Sequence, residues 1–307
     1  MVPQGLAPVL VICGPTASGK SRLAVSLARR LSSEIISADS RKIYRRMDIG
    51  TAKPTGAQRV GVVFHMLDIC EPGETYDAAR FAECAAKHIC ELHRRGLVPI
   101  VCGGSGLYIR ALLNGIIDTP ARDESLRAQL QEQESRSPGC LHERLRRSDP
   151  ASAVRMPPGD VLRIVRALEV LELTGRPISE IQAEQARMPP RYRALQVAPD
   201  WPRSALRTRI EQRVERMLAE GWLDEVRALQ AEGARRALAC SGYRQLDAYL
   251  KGSCRLDEAV TGVKLSHWHY ARHQMKWFRA AAEVRWLHAQ PDEDSLAAEV
   301  DAFMSAG

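Results

Sequence analysis

The residues that most plainly could do chemistry lie near the start of the chain, where "GPTASGKS" spans Gly14 to Ser21. Backbone N–H groups of such a loop converge on one point, and the following helix adds its positive end. Lys20 adds a mobile charge, and the Ser21 hydroxyl can ligate Mg²⁺. Gly14, Pro15, Thr16, Ala17, Ser18, Gly19, Lys20 and Ser21 therefore read as a polyphosphate cradle. The flanks suit it: Val9–Cys13 is a short apolar run that predicts a strand, and Leu23, Leu27 and Leu31 share one helical face over Ser21–Leu31. Spacing alone leaves open whether the phosphate is hydrolysed, passed to an acceptor or held as a leaving group.

Two further clusters aim at the same place. The run "EIISADSRKIYRRMDIGTAKP", Glu34 to Pro54, begins as a strand and delivers Asp39 and Ser40 at its C-terminal end, the edge at which open α/β sheets bind ligands. A strand ending in Asp also imitates an element that holds Mg²⁺, so two roles compete for Asp39. A third stretch, "LVPIVCGGSGLYIRALL", ends in Gly103, Gly104 and Ser105 and opens into a helix. It reads either as a second set of N–H groups and a hydroxyl on that edge or as a tight turn only.

The elements that must position these residues follow from patterning. Apolar runs at 34–38, 66–69, 97–102, 194–198 and 284–288 predict strands, and those of the first third alternate with helical patterns, which points to a parallel sheet with crossover helices. From Thr119 to about Arg193 the pattern turns into polar helices broken by Pro and Gly, as in Ser137-Pro138-Gly139 and Pro157-Pro158-Gly159. The expected organisation is an α/β, P-loop NTPase-like core over 1–118 and 195–307, with a helical insertion over 119–194. Long helices are expected at 205–220, 223–232 and 258–282. In the last, His269, Arg272, His273, Lys276 and Arg279 share one side, and Trp268, Tyr270, Met275, Trp277 and Phe278 are assigned to packing.

Composition bounds the partners. With 307 residues and 45% hydrophobic content the chain can bury a sizeable core, and no stretch is long enough to span a bilayer. The opening "MVPQGLAPVL" has no charged leader region. Eight cysteines show no C-x-x-C pair or finger spacing, so a reducing cytoplasm is expected. The net charge of +7 suggests a polyanionic partner, although a solvated arginine surface would give the same number.

Taken together, the segments resemble the tRNA dimethylallyltransferases. The resemblance is carried by GPTASGKS (14–21), SADSRKIYRRMDIGTAKP (37–54), FHMLDI (64–69), VCGGSGLYIRALL (101–113), RIVRALEV (163–170), RIEQRVERML (209–218), GYRQL (242–246) and YARHQMKWFR (270–279). It implies that the cradle holds dimethylallyl diphosphate with Mg²⁺ on Ser21, and that the prenyl group passes to N6 of an adenosine beside the tRNA anticodon. Asp39 would orient the amine and accept its proton, Arg213 would offset charge on the departing pyrophosphate, and Ser105, where most relatives carry threonine, would touch substrate. The implied tRNA contacts are Asp39, Ser40, Arg41, Lys42, Ser105, Arg127, Leu162, Arg163, Ile164, Val165 and Arg166. Relatives often have Gln where Leu162 stands and a polar residue where Ala239 stands. The partners expected are dimethylallyl diphosphate and the anticodon stem-loop of tRNA, met by a cytoplasmic monomer with no membrane association. The site is expected to be a channel open at both ends. The alternatives are a P-loop kinase of a small metabolite or nucleotide, an adenylate isopentenyltransferase, or a non-catalytic RNA-binding module.

Overall fold

The computed structural model describes residues 6–117, 119–120 and 122–306, so the expected seam at Asp118 lies outside the described residues. The first part of the chain runs β1 (Pro8–Ile12), α1 (Lys20–Arg30), β2 (Ile35–Ser37), α2 (Gly56–Arg59), β3 (Phe64–His65), α3 (Ala78–Arg94), β4 (Ile100–Cys102) and α4 (Gly106–Asn114). A helical stretch follows with α5 (Glu124–Arg136), α6 (Cys140–Ser148), α7 (Pro150–Arg155), α8 (Val161–Thr174) and α9 (Ile178–Arg187). The chain then runs β5 (Arg193–Pro199), α10 (Arg203–Ala219), α11 (Trp222–Ala231), α12 (Arg235–Leu238), α13 (Tyr243–Leu250), α14 (Leu256–Arg279), β6 (Val284–Leu287) and α15 (Glu293–Ser305).

The six strands form one parallel sheet in the order β3-β2-β4-β1-β5-β6. Val9, Leu10, Val11 and Ile12 of β1 are fully buried, which is why the strand reads as an unbroken apolar run instead of an alternating one. Two compact units result, one of residues 1–113 and 190–307 and one of residues 114–189. The second has its own core, in which Leu130, Leu141, Leu145, Ile164, Val165 and Leu168 pack together.

Two expected strands are placed differently. Residues 66–69 are not a strand; the pairing segment is Phe64–His65, because Met66 and Asp68 turn at φ 63° and 56°, where an extended chain cannot continue. The strand expected from Leu97 begins only at Ile100, since the Leu97 N–H closes the end of α3 on the Leu92 carbonyl at 2.9 Å.

The stretch from Asp39 to Pro54 has almost no regular structure, and helices from the far end of the chain hold it. Glu225 of α11 accepts from three successive backbone N–H groups, those of Asp48 (2.7 Å), Ile49 (2.7 Å) and Gly50 (3.1 Å), and from the Tyr243 hydroxyl at 2.6 Å. Lys53 is buried and donates to Asp48, to Asp68 at 2.5 Å and to the Tyr44 carbonyl at 2.7 Å. Gly50 lies against Trp222, and a Cβ there would stand 2.1 Å from Nε1 of that indole. The sequence around Met47–Lys53 thus encodes a tethered wall. Gly50→Ala should lower unfolding free energy by about 2 kcal/mol or more in denaturant titrations, as overpacking against a rigid ring requires. Gly73→Ala, where a Cβ meets nothing within 4 Å, should stay within about 0.5 kcal/mol of the parent.

Candidate active site

The cradle forms where β1 ends and α1 begins. Gly14 and Gly19 adopt φ of 123° and 92° and Ala17 turns at 62°, so the loop folds back over itself before the helix starts. Among the described residues no side chain caps α1, which leaves its first-turn N–H groups available to a ligand. The loop is held from outside: Thr16 N–H donates to Gln274 Oε1 at 2.8 Å, Arg209 Nε donates to the Ala17 carbonyl at 2.9 Å, and Trp201 Nε1 donates to the Ser18 carbonyl at 2.8 Å. Lys20 Nζ rests on the Pro15 carbonyl at 3.0 Å. Ser18 Oγ is buried with no partner among the described residues.

Asp39 follows β2 at the same edge. Its Oδ1 accepts from the backbone N–H of Arg41 at 2.9 Å and of Lys42 at 3.4 Å, which fixes the carboxylate plane, while Oδ2 has no hydrogen-bond partner among the described residues. Ser105 Oγ accepts from Ser40 N–H at 2.9 Å, and Ser105 N–H donates to the Ala38 carbonyl at 3.2 Å. A Cβ on Gly103 would stand 1.9 Å from that same carbonyl oxygen, so the first of the paired glycines is demanded by the close approach of β2 and β4. Gln274 completes the junction by donating to Gly104 O at 2.9 Å, so one buried amide ties the cradle to the Ser105 turn.

Three cations share the space around Asp39. Burial pushes Lys20 down to about 8, with Lys42 and Arg213 adding repulsion and Asp39 opposing it. Burial likewise lowers Lys42 and Arg213, and Asp39 favours the charged form of each. Arg213 Nε is buried without a partner among the described residues. Nearby His267 is pushed down to about 4 by burial and then by Arg213, so its ring is neutral at pH 7 where it stacks on Trp222. Tyr270 departs from its expected packing role. Its surface is 42% accessible, yet desolvation drives its hydroxyl up to about 12, with Asp39 adding to the effect and the nearby polar groups of Ser105 and Gln274 opposing it. A ring on a concave wall satisfies both observations. Trp268 and Phe278 are buried as expected, and His269, Arg272, His273, Lys276 and Arg279 are exposed.

Ser21, Lys42 and Arg213 line one cleft of about 1580 Å³, together with faces of α1 and α10. Among the described residues no group of three His, Cys, Asp or Glu side chains could hold a metal ion. A divalent cation here would therefore depend on the Ser21 hydroxyl and on oxygens of its own ligand.

The residues expected to reach RNA from the helical unit fare unequally. Arg163 and Leu162 are exposed, the former paired with Asp160 at 3.0 Å. Ile164 and Val165 are buried in the core of that unit, so a contact at these positions could use only backbone atoms. Arg127 and Arg166 are not free, because both pair with the fully buried Glu169, at 3.2 and 2.7 Å. Arg166 also donates to Thr119 Oγ1 at 2.9 Å and to the Pro120 carbonyl at 3.0 Å.

Sequence reasoning missed Gln274, Glu225, Arg209 and Trp201. Gln274 had a signal: it is the polar member of the buried series Val263, Ala271, Gln274 and Phe278 on α14, and a buried amide needs partners. The others act on backbone atoms far away in sequence, which no local pattern reveals.

Comparison with known proteins places this geometry. The family model described as IPP transferase matches residues 42–281, and one described as Isopentenyl transferase matches residues 7–70. The chain is 46% identical over 295 residues to a tRNA dimethylallyltransferase of Anaeromyxobacter sp. (strain K), covering 95% of this chain and 96% of that one. It is 47% identical to tRNA dimethylallyltransferase 1 of Pelobacter propionicus, covering 94% of each. Among solved structures, the full-length tRNA isopentenylpyrophosphate transferase of Bacillus halodurans aligns with a TM-score of 0.70 at 36% identity, over 97% of this chain and 95% of that one. A eukaryotic dimethylallyltransferase captured acting on tRNA aligns with a TM-score of 0.79 at 27% identity, over 96% and 77%.

The desolvated ammonium of Lys20 has a pH consequence. Binding an anion favours the charged lysine, so above about 8 the free protein must take up a proton to bind. Affinity for a simple alkyl diphosphate, measured by calorimetry, should be flat near pH 7 and fall above pH 8 by up to about tenfold per unit. Lys20→Arg should move the onset of that fall upward.

Proposed function

The chain belongs to the IPP transferase family, and we propose that its cradle grips dimethylallyl diphosphate as a leaving group while Asp39 faces the nucleophile. The protein is a prenyltransferase that modifies tRNA. The acceptor in this reading is the exocyclic N6 of an adenosine beside the anticodon. The allylic C–O bond breaks, a C–N bond forms, the N6 proton goes to Asp39 and pyrophosphate leaves. The lone pair of an adenine amine is delocalised into the ring, so the amine needs an oriented N–H and a proton acceptor, and the unpartnered Oδ2 of Asp39 is suited to both. The carbon departs with cationic character, so the barrier falls where negative charge collects on the leaving group. There the α1 N–H groups, Lys20, Lys42 and Arg213 stand ready.

The observation that carries this reading is the charge arrangement itself. Three desolvated cations each feel the charge of one carboxylate whose Oδ2 has no hydrogen-bond partner among the described residues, and the helix that begins at Lys20 is uncapped. Mg²⁺ fits as a resident ion: the Ser21 hydroxyl lines the cleft and diphosphate oxygens would complete its shell, so the ion would neutralise the leaving group. Lys42, expected among the RNA contacts, is reassigned here to the diphosphate end, since it lines the same cleft as Ser21 and Arg213. Ser105 and Tyr270 then form the wall met by the incoming base. Anticodon loops are single-stranded, so splaying the target adenosine costs at most a few kcal/mol. The exposed basic side of α14 and Arg163 supply phosphate contacts, and the work is done in the cytoplasm by a monomer.

The test uses labelled dimethylallyl diphosphate, Mg²⁺ and unmodified tRNA. The parent should transfer label to RNA and release pyrophosphate without consuming ATP. Asp39→Asn keeps an oxygen for the Arg41 and Lys42 N–H groups, so kcat should fall about 10²- to 10⁴-fold while the donor still binds in a Mg²⁺-dependent way. Loss of Mg²⁺-dependent donor binding in that variant would assign Asp39 to the metal instead.

A further inference from the structure

The cleft is larger than its proposed contents need. Pockets for small ligands run to about 1,000 Å³, and the donor is a five-carbon chain on two phosphates, whereas this cleft measures about 1580 Å³. Two helical stripes line it, together with residues of the segment 48–59. From α1 come Arg22, Val25 and Arg29, spaced i, i+3 and i+7; from α10 come Arg209, Arg213 and Arg216, spaced i, i+4 and i+7. Each stripe extends about 10 Å at helical rise.

Arg22, Arg209 and Arg216 have no acidic partner among the described residues, unlike most other arginines of the chain. They nonetheless stand close enough to repel: Arg209 is lowered chiefly by burial and then by Arg22 and Arg216. The acids on the same wall are mostly engaged elsewhere. Asp48 and Asp68 hold Lys53, and Glu215 holds Lys264 at 2.7 Å, which leaves Glu220 at the C-terminal end of α10. Uncompensated like charges at one wall are a cost in the free protein that an arriving anion removes.

We infer that Arg22, Arg209 and Arg216 form an outer anion site in the cleft, where a diphosphate is held before it enters the cradle and after it leaves. This rests on the cradle being the donor's diphosphate site. The outer site captures the donor from solution by long-range attraction, and its contribution is to the association rate. The ligand class is a diphosphate, whether it is the prenyl donor or the pyrophosphate product.

Arg22 and Arg216 are exposed, so Arg22→Gln with Arg216→Gln leaves the core untouched, and Arg209 is retained because it braces Ala17. In steady-state prenyl transfer at low salt, kcat/KM for the donor should fall about tenfold in the double variant and its salt dependence should flatten. The kcat at saturating donor and the KM for tRNA should not change. An unchanged donor kcat/KM and salt slope would overturn the outer site, as would a raised KM for tRNA with donor parameters intact, which would make the stripe an RNA contact. Titration with inorganic pyrophosphate reads the site without turnover. The parent should show two sites, Lys20→Ala should keep the outer one and the double variant should keep the cradle. A single site abolished by Lys20→Ala and indifferent to the double variant overturns the outer site even if the parent is fully active. Two sites in a parent that transfers no prenyl group would sustain it and overturn the donor reading instead.

Discussion

The constraint on which the rest of this structure depends is the crowding of Lys20, Lys42 and Arg213 around one carboxylate, Asp39, in a place where water solvates them poorly. Desolvated cations are costly, and one carboxylate does not offset three of them. Such a cluster persists only when surrounding structure holds it. An anion brought among them would offset that cost. In the reading proposed above, the same field would act on the negative charge that a departing group gains, with each cation already in place.

Holding the cluster requires segments distant in sequence. The loop from Asp39 to Pro54 is fixed by Glu225 and Trp222 of α11, the cradle by Trp201, Arg209 of α10 and Gln274 of α14. The helices after β5 therefore act as buttresses for the loops at this edge of the sheet. A buried amide such as Gln274, with one bond to Thr16 and one to Gly104, specifies distance as an apolar residue could not, because leaving either end unpaired would cost about 1–3 kcal/mol.

Much of this was legible in the sequence where the physics is local. The G-x-x-x-x-G-K-S spacing announced a cradle between strand and helix, and an apolar run ending in Asp39 announced its edge position, because parallel strands buried on both faces must read as continuous apolar runs. The segment after β3 misled, since Met66, Leu67 and Ile69 look like a strand while the backbone at 66 and 68 turns left-handed to let Asp68 reach Lys53. Ile164 and Val165 sit beside Arg163 in sequence, but a helix sends neighbours to different faces, and these two side chains pack inward. Glu225 could not have been read at all, because an acid in the first turn of a helix is commonplace and its three N–H partners lie 175 to 177 residues away.

Charge pairing separates the two units of the chain in a way that net charge conceals. In the helical unit Arg144, Arg146, Arg147 and Arg163 each have an acidic partner at the surface, and such pairs are worth about 0–1 kcal/mol. A phosphate can replace those carboxylates at little cost. Arg127 and Arg166 are different, because releasing the fully buried Glu169 would strand a charge at a cost of about 3–5 kcal/mol. These two arginines must keep Glu169 whatever else they bind, so any contact to RNA uses only their remaining N–H groups, in directions set by that carboxylate. Of the arginines that line the cleft, Arg59 pairs with Asp68 at 3.5 Å, whereas Arg22, Arg209 and Arg216 have no carboxylate partner among the described residues, so no acid competes for them with an arriving anion.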